Sequence, residues 1–178
     1  MKNENVILVD ELDNALGIME KMEAHRKGKL HRAFSVFIFN SDKKLLIHQR
    51  AHEKYHSGGL WTNTCCSHPR PGEFINDAAH RRLREEMGFD CEMKSIFSFI
   101  YCAQAGDLIE HELDHVFIGI YNKEPKINRE EVVDYKWLSI TEIKEDLASY
   151  PDTYSSWFKI IFERLRNYVE QNTEIFNL

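Results

Sequence analysis

No run of about 18 apolar residues occurs anywhere in the 178-residue chain, so the sequence offers no candidate membrane helix. The opening MKNENVILVDELDN lacks the long apolar stretch of a secretion signal and turns acidic by Asp10. There is no block of lysine and arginine and no basic stripe interleaved with aromatics. Acidic residues outnumber basic ones 29 to 23, a formal charge of −6. Nucleic acid and anionic membranes are thereby disfavoured as main partners, while a small anionic ligand fits if basic residues cluster locally. Repeats, low-complexity tracts and linkers are also missing. The expectation is one domain over 1–178, cytoplasmic, monomeric or homodimeric, with enough chain to bury roughly two-thirds of its unfolded surface.

Cysteine is scarce. Four occur, at positions 65, 66, 91 and 102. Without a secretion signal, and with a core large enough to fold unaided, free thiols are expected. Cys91 and Cys102 lie in apolar, strand-like sequence and read as packing residues. The pair in Thr64-Cys65-Cys66-Ser67-His68-Pro69 is different. In a strand, side chains alternate faces, so Cys66 and His68 point one way and Cys65 the other.

The pattern of elements is mostly strand, which predicts an α+β fold of mixed sheet and a few helices. Val6 to Val9 and Leu16 to Lys21 form an opening hairpin around DELDN. AFSVFIFN (33–40) and LLIHQ (45–49) form a second around SDKK. A loop over 51–59 then leads to the strand carrying TCCSH. From about Asn76, Ala79, Leu83 and Met87 recur every four residues among charged neighbours, and Gly88 stands at the expected stop of an amphipathic helix. Further strands are expected at 95–102, 116–121 and 135–138, then a short helix after Ser139 and a longer one over about 154–169.

Several residues carry chemistry. Glu110-His111-Glu112 leads into VFIGIY, so an early strand start puts Glu110 and Glu112 on one face, where two carboxylates repel unless a cation or proton joins them. His25 and His31 flank the turn RKGKL. Three imidazoles, with His68, and two carboxylates make a nitrogen and oxygen set suited to Mn²⁺, Zn²⁺ or Fe²⁺, with Mg²⁺ a hard-ligand compromise. Most of the nine histidines must be ordinary surface residues. His48, His52, His56 and His80 have no spacing partner and read as surface or rim.

His111-Glu112-Leu113-Asp114-His115 matches the H-E-x-x-H zinc-protease pattern literally. That motif works on a helix, where the histidines meet at i and i+4. Here it runs into β-branched and aromatic sequence, and the match is read as accidental.

The helix supplies the most specific signal. Ser67-x5-Glu73-x7-Arg81-Arg82-Leu83-Arg84-Glu85-Glu86-Met87-Gly88-Phe89 fits the spacing of the Nudix box throughout, with two departures. Serine replaces the opening glycine, and Arg82 replaces the first glutamate of the R-E pair. In Nudix hydrolases that glutamate helps hold the metals that drive water onto a diphosphate. An arginine suits holding a diphosphate instead.

Together with HRKGKLHRAFS (25–35), QRAHEKY (49–55), WTNTCCSHP (61–69) and EHE (110–112), those departures make residues 5 to 160 closely resemble type I isopentenyl-diphosphate isomerases, a Nudix-fold branch that isomerises rather than hydrolyses. The resemblance implies that His25, His31, His68, Glu110 and Glu112 bind one divalent metal (Mn²⁺, Zn²⁺ or Mg²⁺). It implies that Cys66 and Glu112 form the catalytic pair, with Tyr101 hydrogen-bonded to Glu112. Glu86 resembles the box glutamate meeting a diphosphate-bridging Mg²⁺, and Lys21, Arg50, Lys54 and Arg82 the cationic diphosphate contacts. Lys21 and Lys54 read equally as exposed lysines. Trp157 matches the aromatic set against a cationic centre, and reads equally as a core tryptophan. The implied substrate is isopentenyl diphosphate; the competing activity is Nudix pyrophosphohydrolysis.

Overall fold

The computed structural model describes residues 4–54, 56–172, 174 and 176. Among these, one mixed sheet of nine strands carries four α-helices, the expected α+β arrangement. Tyr55 of the QRAHEKY stretch lies outside the described residues, as does most of the segment from Asn172 to Leu178, whose ordering over the site the sequence leaves open.

The opening hairpin is β1 (Asn5–Val9) and β2 (Ala15–Glu20). Its return strand does not run on through Lys21. A helix, α1 (Lys21–Lys27), follows, which the sequence did not announce. Seven residues are too few to show an apolar period, and the cap is unusual: the Glu20 side chain accepts hydrogen bonds from the backbone N–H groups of Met22 and Glu23. The helix ends at Gly28, whose φ of 58° is left-handed and whose missing Cβ would lie 3.2 Å from Ile109. That tight turn sets His25 and His31 close together.

The centre is β3 (His31–Phe39) paired in parallel with β8 (Leu108–Ile120) along its full length, His31 opposite Glu112. β8 begins well before the expected Val116, so Glu110 and Glu112 lie within it and share a face. It forms a long antiparallel hairpin with β7 (Met93–Ala105), Tyr101 opposite Glu112. In this strand His111 and His115 stand about 13 Å apart at 3.3 Å per residue. They bond to different partners, Gly28 O and Asp13. No protease-type helix exists there.

The second expected hairpin, around SDKK, is present but short. β3 and β4 (Leu45–Arg50) share only the pair Phe39–Leu45, because β8 fills one edge of β3 and β6 (Cys65–Ser67) pairs with Phe34 to Val36. β4 diverges to pair with β5 (Trp61–Thr62) and β9 (Val132–Leu138).

Two cores lie on opposite faces. Phe34, Val36, Ile38 and Cys65 pack against Ala79, Leu83 and Met87 of α2 (Ile75–Met87). Gly88 ends α2 as expected, with φ 72°, and a Cβ there would meet Lys126 O at 2.2 Å. Phe37, Phe39, Val116, Ile118 and Tyr101 pack on the other face against Trp157, Phe158, Ile161 and Phe162 of α4 (Ser156–Gln171). α3 (Ile140–Ser149) starts with a capping box between Ser139 and Glu142. Cys102, expected as packing, is exposed on the outer face of β7.

Candidate active site

Alternation along β6 and β8 determines what meets what. Cys65 joins the α2-side core, and burial pushes its thiol well above the usual range. Cys66 faces the other side, where an open cleft of about 520 Å³ is also lined by Ser35, His68, Tyr101, Glu110, Glu112 and Trp157.

At one end of the cleft, His25, His31, His68 and Glu112 place one ligand atom each within 4.8 Å of all the others. Glu110 joins through a second group, with His25 and His56. Two ring orientations are fixed by the backbone: His25 Nδ1 lies 2.7 Å from Lys21 O, and His31 Nδ1 2.7 Å from Lys29 O. A carbonyl only accepts, so each Nδ1 carries a proton and each Nε2 points inward, donating to a carboxylate when the ring is protonated and offering a lone pair to a cation when it is not. His31 Nε2 sits 3.1 Å from His68 Nε2, which is 2.9 Å from Glu112 Oε1. Buried donors converging this way fit a divalent cation.

The electrostatics agree. Burial opposes the charge on Glu112, yet hydrogen bonds from His31 and His68 outweigh it and hold the carboxyl well below the usual range. Glu110 is held low in the same way by His25 and His56, against burial and the Glu112 charge. Burial lowers His25, but Glu110 wins and raises it. The cluster attracts positive charge. His68, with burial dominant, falls to about 4 and stays neutral, as a ligand must. Tyr101 Oη donates to Glu112 Oε2 at 2.6 Å, and burial lifts its pKa well above the ordinary value. Burial also lifts Cys66, to about 12, against a lowering pull from Arg50.

The same cleft is also cationic: Lys21, Arg50, Lys54 and Arg82 line it with Glu86. Neither lysine is an exposed one: their side chains are 16% and 20% accessible. Lys21 pairs with Glu4 at 3.2 Å. Arg82 bonds Glu85, Glu86 and Glu131, and Lys54 bonds Glu131 as well. Arg50, 8% exposed, lays its guanidinium 5.1 Å from the Trp157 ring centre. Trp157 thus belongs to the core and to the cleft at once.

Three residues escaped the sequence reading. His56, assigned to surface or rim, lies in the cleft with Nε2 2.8 Å from Glu110 Oε1. His48 is buried, its Nδ1 3.0 Å from Thr64 O, and burial lowers it to about 4. Glu131 braces two of the cations. None has a spacing signal: His56 and Glu131 lie in loops, and His48 turns inward from β4 onto Thr64 O.

A NUDIX domain model matches residues 29–158. Isopentenyl-diphosphate Delta-isomerase 2 of Aromatoleum aromaticum is 54% identical over 163 residues, covering 91% of this chain and 86% of that protein. The chain belongs to the isopentenyl-diphosphate Delta-isomerase family. A second member, isopentenyl-diphosphate Delta-isomerase 2 of Photorhabdus laumondii, is 53% identical over 164 residues, with 92% of this chain and 93% of that protein covered. The crystal structure of DR0079 from Deinococcus radiodurans shares the Nudix fold at a TM-score of 0.77 and 19% identity, over 90% of this chain and 98% of that one. Family membership makes the chain an enzyme acting on a small molecule with a site fit for a divalent metal. Among the described residues no helix is long and apolar enough to cross a membrane.

Proposed function

We infer that the protein isomerises isopentenyl diphosphate to dimethylallyl diphosphate by adding a proton at the alkene terminus and removing one from the allylic carbon. The observation that carries this is the lining of one cleft: a thiol and a carboxylate on one sheet face, with four cations in the same cleft to take a diphosphate. An unactivated double bond has no carbonyl to stabilise charge, so the path runs through a tertiary carbocation. It needs one acid and one base, each contributing about 10² to 10⁴ in rate.

Cys66 and Glu112 are that pair. The resting pocket holds a protonated thiol and an ionised carboxylate. That is the state left after a turnover in which Glu112 donates its proton and Cys66 accepts one. Return of a proton from sulfur to Glu112 resets the pair. Tyr101, protonated throughout, donates to Glu112 and fixes the carboxylate's direction. Trp157 presents its ring to the cationic carbon, and Arg50, stacked on it, belongs to the diphosphate end.

His25, His31, His68, Glu110 and Glu112 would hold one ion, and the three imidazoles favour Mn²⁺ or Zn²⁺ over Mg²⁺. Glu86 would meet a Mg²⁺ shared with the diphosphate, a role Mg²⁺ commonly fills with few carboxylates. Bound there, the ions supply positive charge that fixes Glu112 and neutralises the diphosphate. We take one domain over 1–178 as the working unit, monomeric or homodimeric. A cytoplasmic site fits its free thiols.

The test is incubation with isopentenyl diphosphate and Mg²⁺. Acid-labile allylic product without phosphate release is expected. Steady Mg²⁺-dependent phosphate release would instead support the pyrophosphohydrolase reading, which Arg82 disfavours.

A further inference from the structure

We propose that His56 is a positioning residue for Glu110, tying the loop that follows Arg50 and carries Lys54 to the ion-binding cluster. The proposal rests on the reading of Glu110 as a metal ligand. Glu110 is 3% exposed and stands apart from the tight group of His25, His31, His68 and Glu112. Its two oxygens have different neighbours. Oε2 lies 3.3 Å from His25 Nε2, inside the cluster, and Oε1 lies 2.8 Å from His56 Nε2, outside it. A carboxylate contacted at one oxygen can offer the other in a defined direction, and such outer partners commonly contribute 10- to 100-fold in metal affinity.

His56 is itself held. Its backbone oxygen accepts a hydrogen bond from Arg50 Nη2 at 3.3 Å, and its ring stands edge-on to Trp157 at 5.4 Å and 86°. The loop is closed at its base by backbone bonds between Arg50 and both Gly59 and Leu60. Lys54, on the same loop, lines the same cleft. One loop therefore carries both a cation of the cleft and, at His56, a contact to the ion-binding cluster.

The experiment is titration of the full chain with Mn²⁺ alone, following free Mn²⁺ by its electron paramagnetic resonance signal. His56→Phe keeps a ring against Trp157 but no N–H. His56→Gln keeps an N–H near the Nε2 position but no ring. The expected result is binding weakened about 10- to 100-fold in the Phe variant and within a few-fold of the parent in the Gln variant. Parent-like binding by the Phe variant, or equal weakening in both, overturns the role. His25→Ala separates this from failure of the functional reading. If Mn²⁺ binding survives there, the metal centre falls and His56's role with it. If binding is lost there while the Phe variant binds normally, only His56's role falls.

Discussion

The two ends of the β3–β8 pair are both largely buried and chemically opposite. From Val36 to Phe39 and Val116 to Ile118 every side chain is apolar and at most 2% exposed. From His31 to Ser35 and Glu110 to Asp114 the same ladder buries an imidazole, three carboxyl groups and a hydroxyl. Asp114 is an extreme: burial and the Glu112 charge push its carboxyl well above the usual range, while Ser35 Oγ donates to it at 2.9 Å. Apolar burial stabilises the sheet at roughly 25 cal/mol per Å². Burial of charge does not, unless each charge is matched. One end of the ladder holds the fold so that the other can hold chemistry.

Adjacent cysteines test that division most sharply. Cys66→Ala should fold and still bind diphosphate, yet lose about 10² to 10⁴ of its turnover. Cys65→Ala, one residue earlier in the α2-side core, should keep turnover and lose only stability, on the order of 1 kcal/mol. Steady-state kinetics and urea unfolding of the two variants decide it. The reverse pattern, a dead Cys65→Ala and an active Cys66→Ala, would dissolve the assignment of faces.

At the apolar end, Phe37→Ala should cost about 3 to 5 kcal/mol, because the ring is fully buried against α4. The expected signature is a lowered urea midpoint with metal binding retained in the folded fraction. Loss of metal binding at unchanged stability would mean that the two ends are not separable.

Legibility followed the same division. A period of two placed Cys65 and Cys66 on opposite faces, and a period near four placed Ala79, Leu83 and Met87 against the sheet, because alternation and helical recurrence are written in adjacent residues. EHE was legible as a shared face only once the strand start was known. α1 was not, since seven residues capped by a glutamate show neither signal. His56 and Glu131 lie in loops, where position depends on what the loop crosses, and no local pattern records that. The order of separated motifs identified the family where spacing alone could not.

Trp157 straddles the division, and its replacement gauges how much of it is core. If its ring faces a carbocation, Trp157→Phe should retain more turnover than Trp157→Leu, by about 0.5 to 2 kcal/mol, or at most some tens of fold. Equal kcat in the two variants would assign the residue to packing alone.

The smallest effect concerns the two glutamates of the Nudix motif that the fold uses differently. Glu86 lines the cleft, whereas Glu73 binds Arg81 through both oxygens, at 2.6 and 2.9 Å, away from it. The Arg81 hydrogen bonds hold the Glu73 carboxyl below its usual value, with partial burial opposing. A depressed folded-state pKa contributes stability that is present above the unfolded value of about 4.3 and lost as pH falls through the folded one. Glu73→Gln should therefore cost about 1 to 2 kcal/mol at pH 7 and progressively less below about pH 4.3, with turnover changed by no more than a few-fold. Urea unfolding of both proteins across that range measures the gap. A gap that stays constant with pH would show that the Glu73–Arg81 pair contributes shape rather than charge, and a large loss of turnover would move Glu73 from the scaffold to the site.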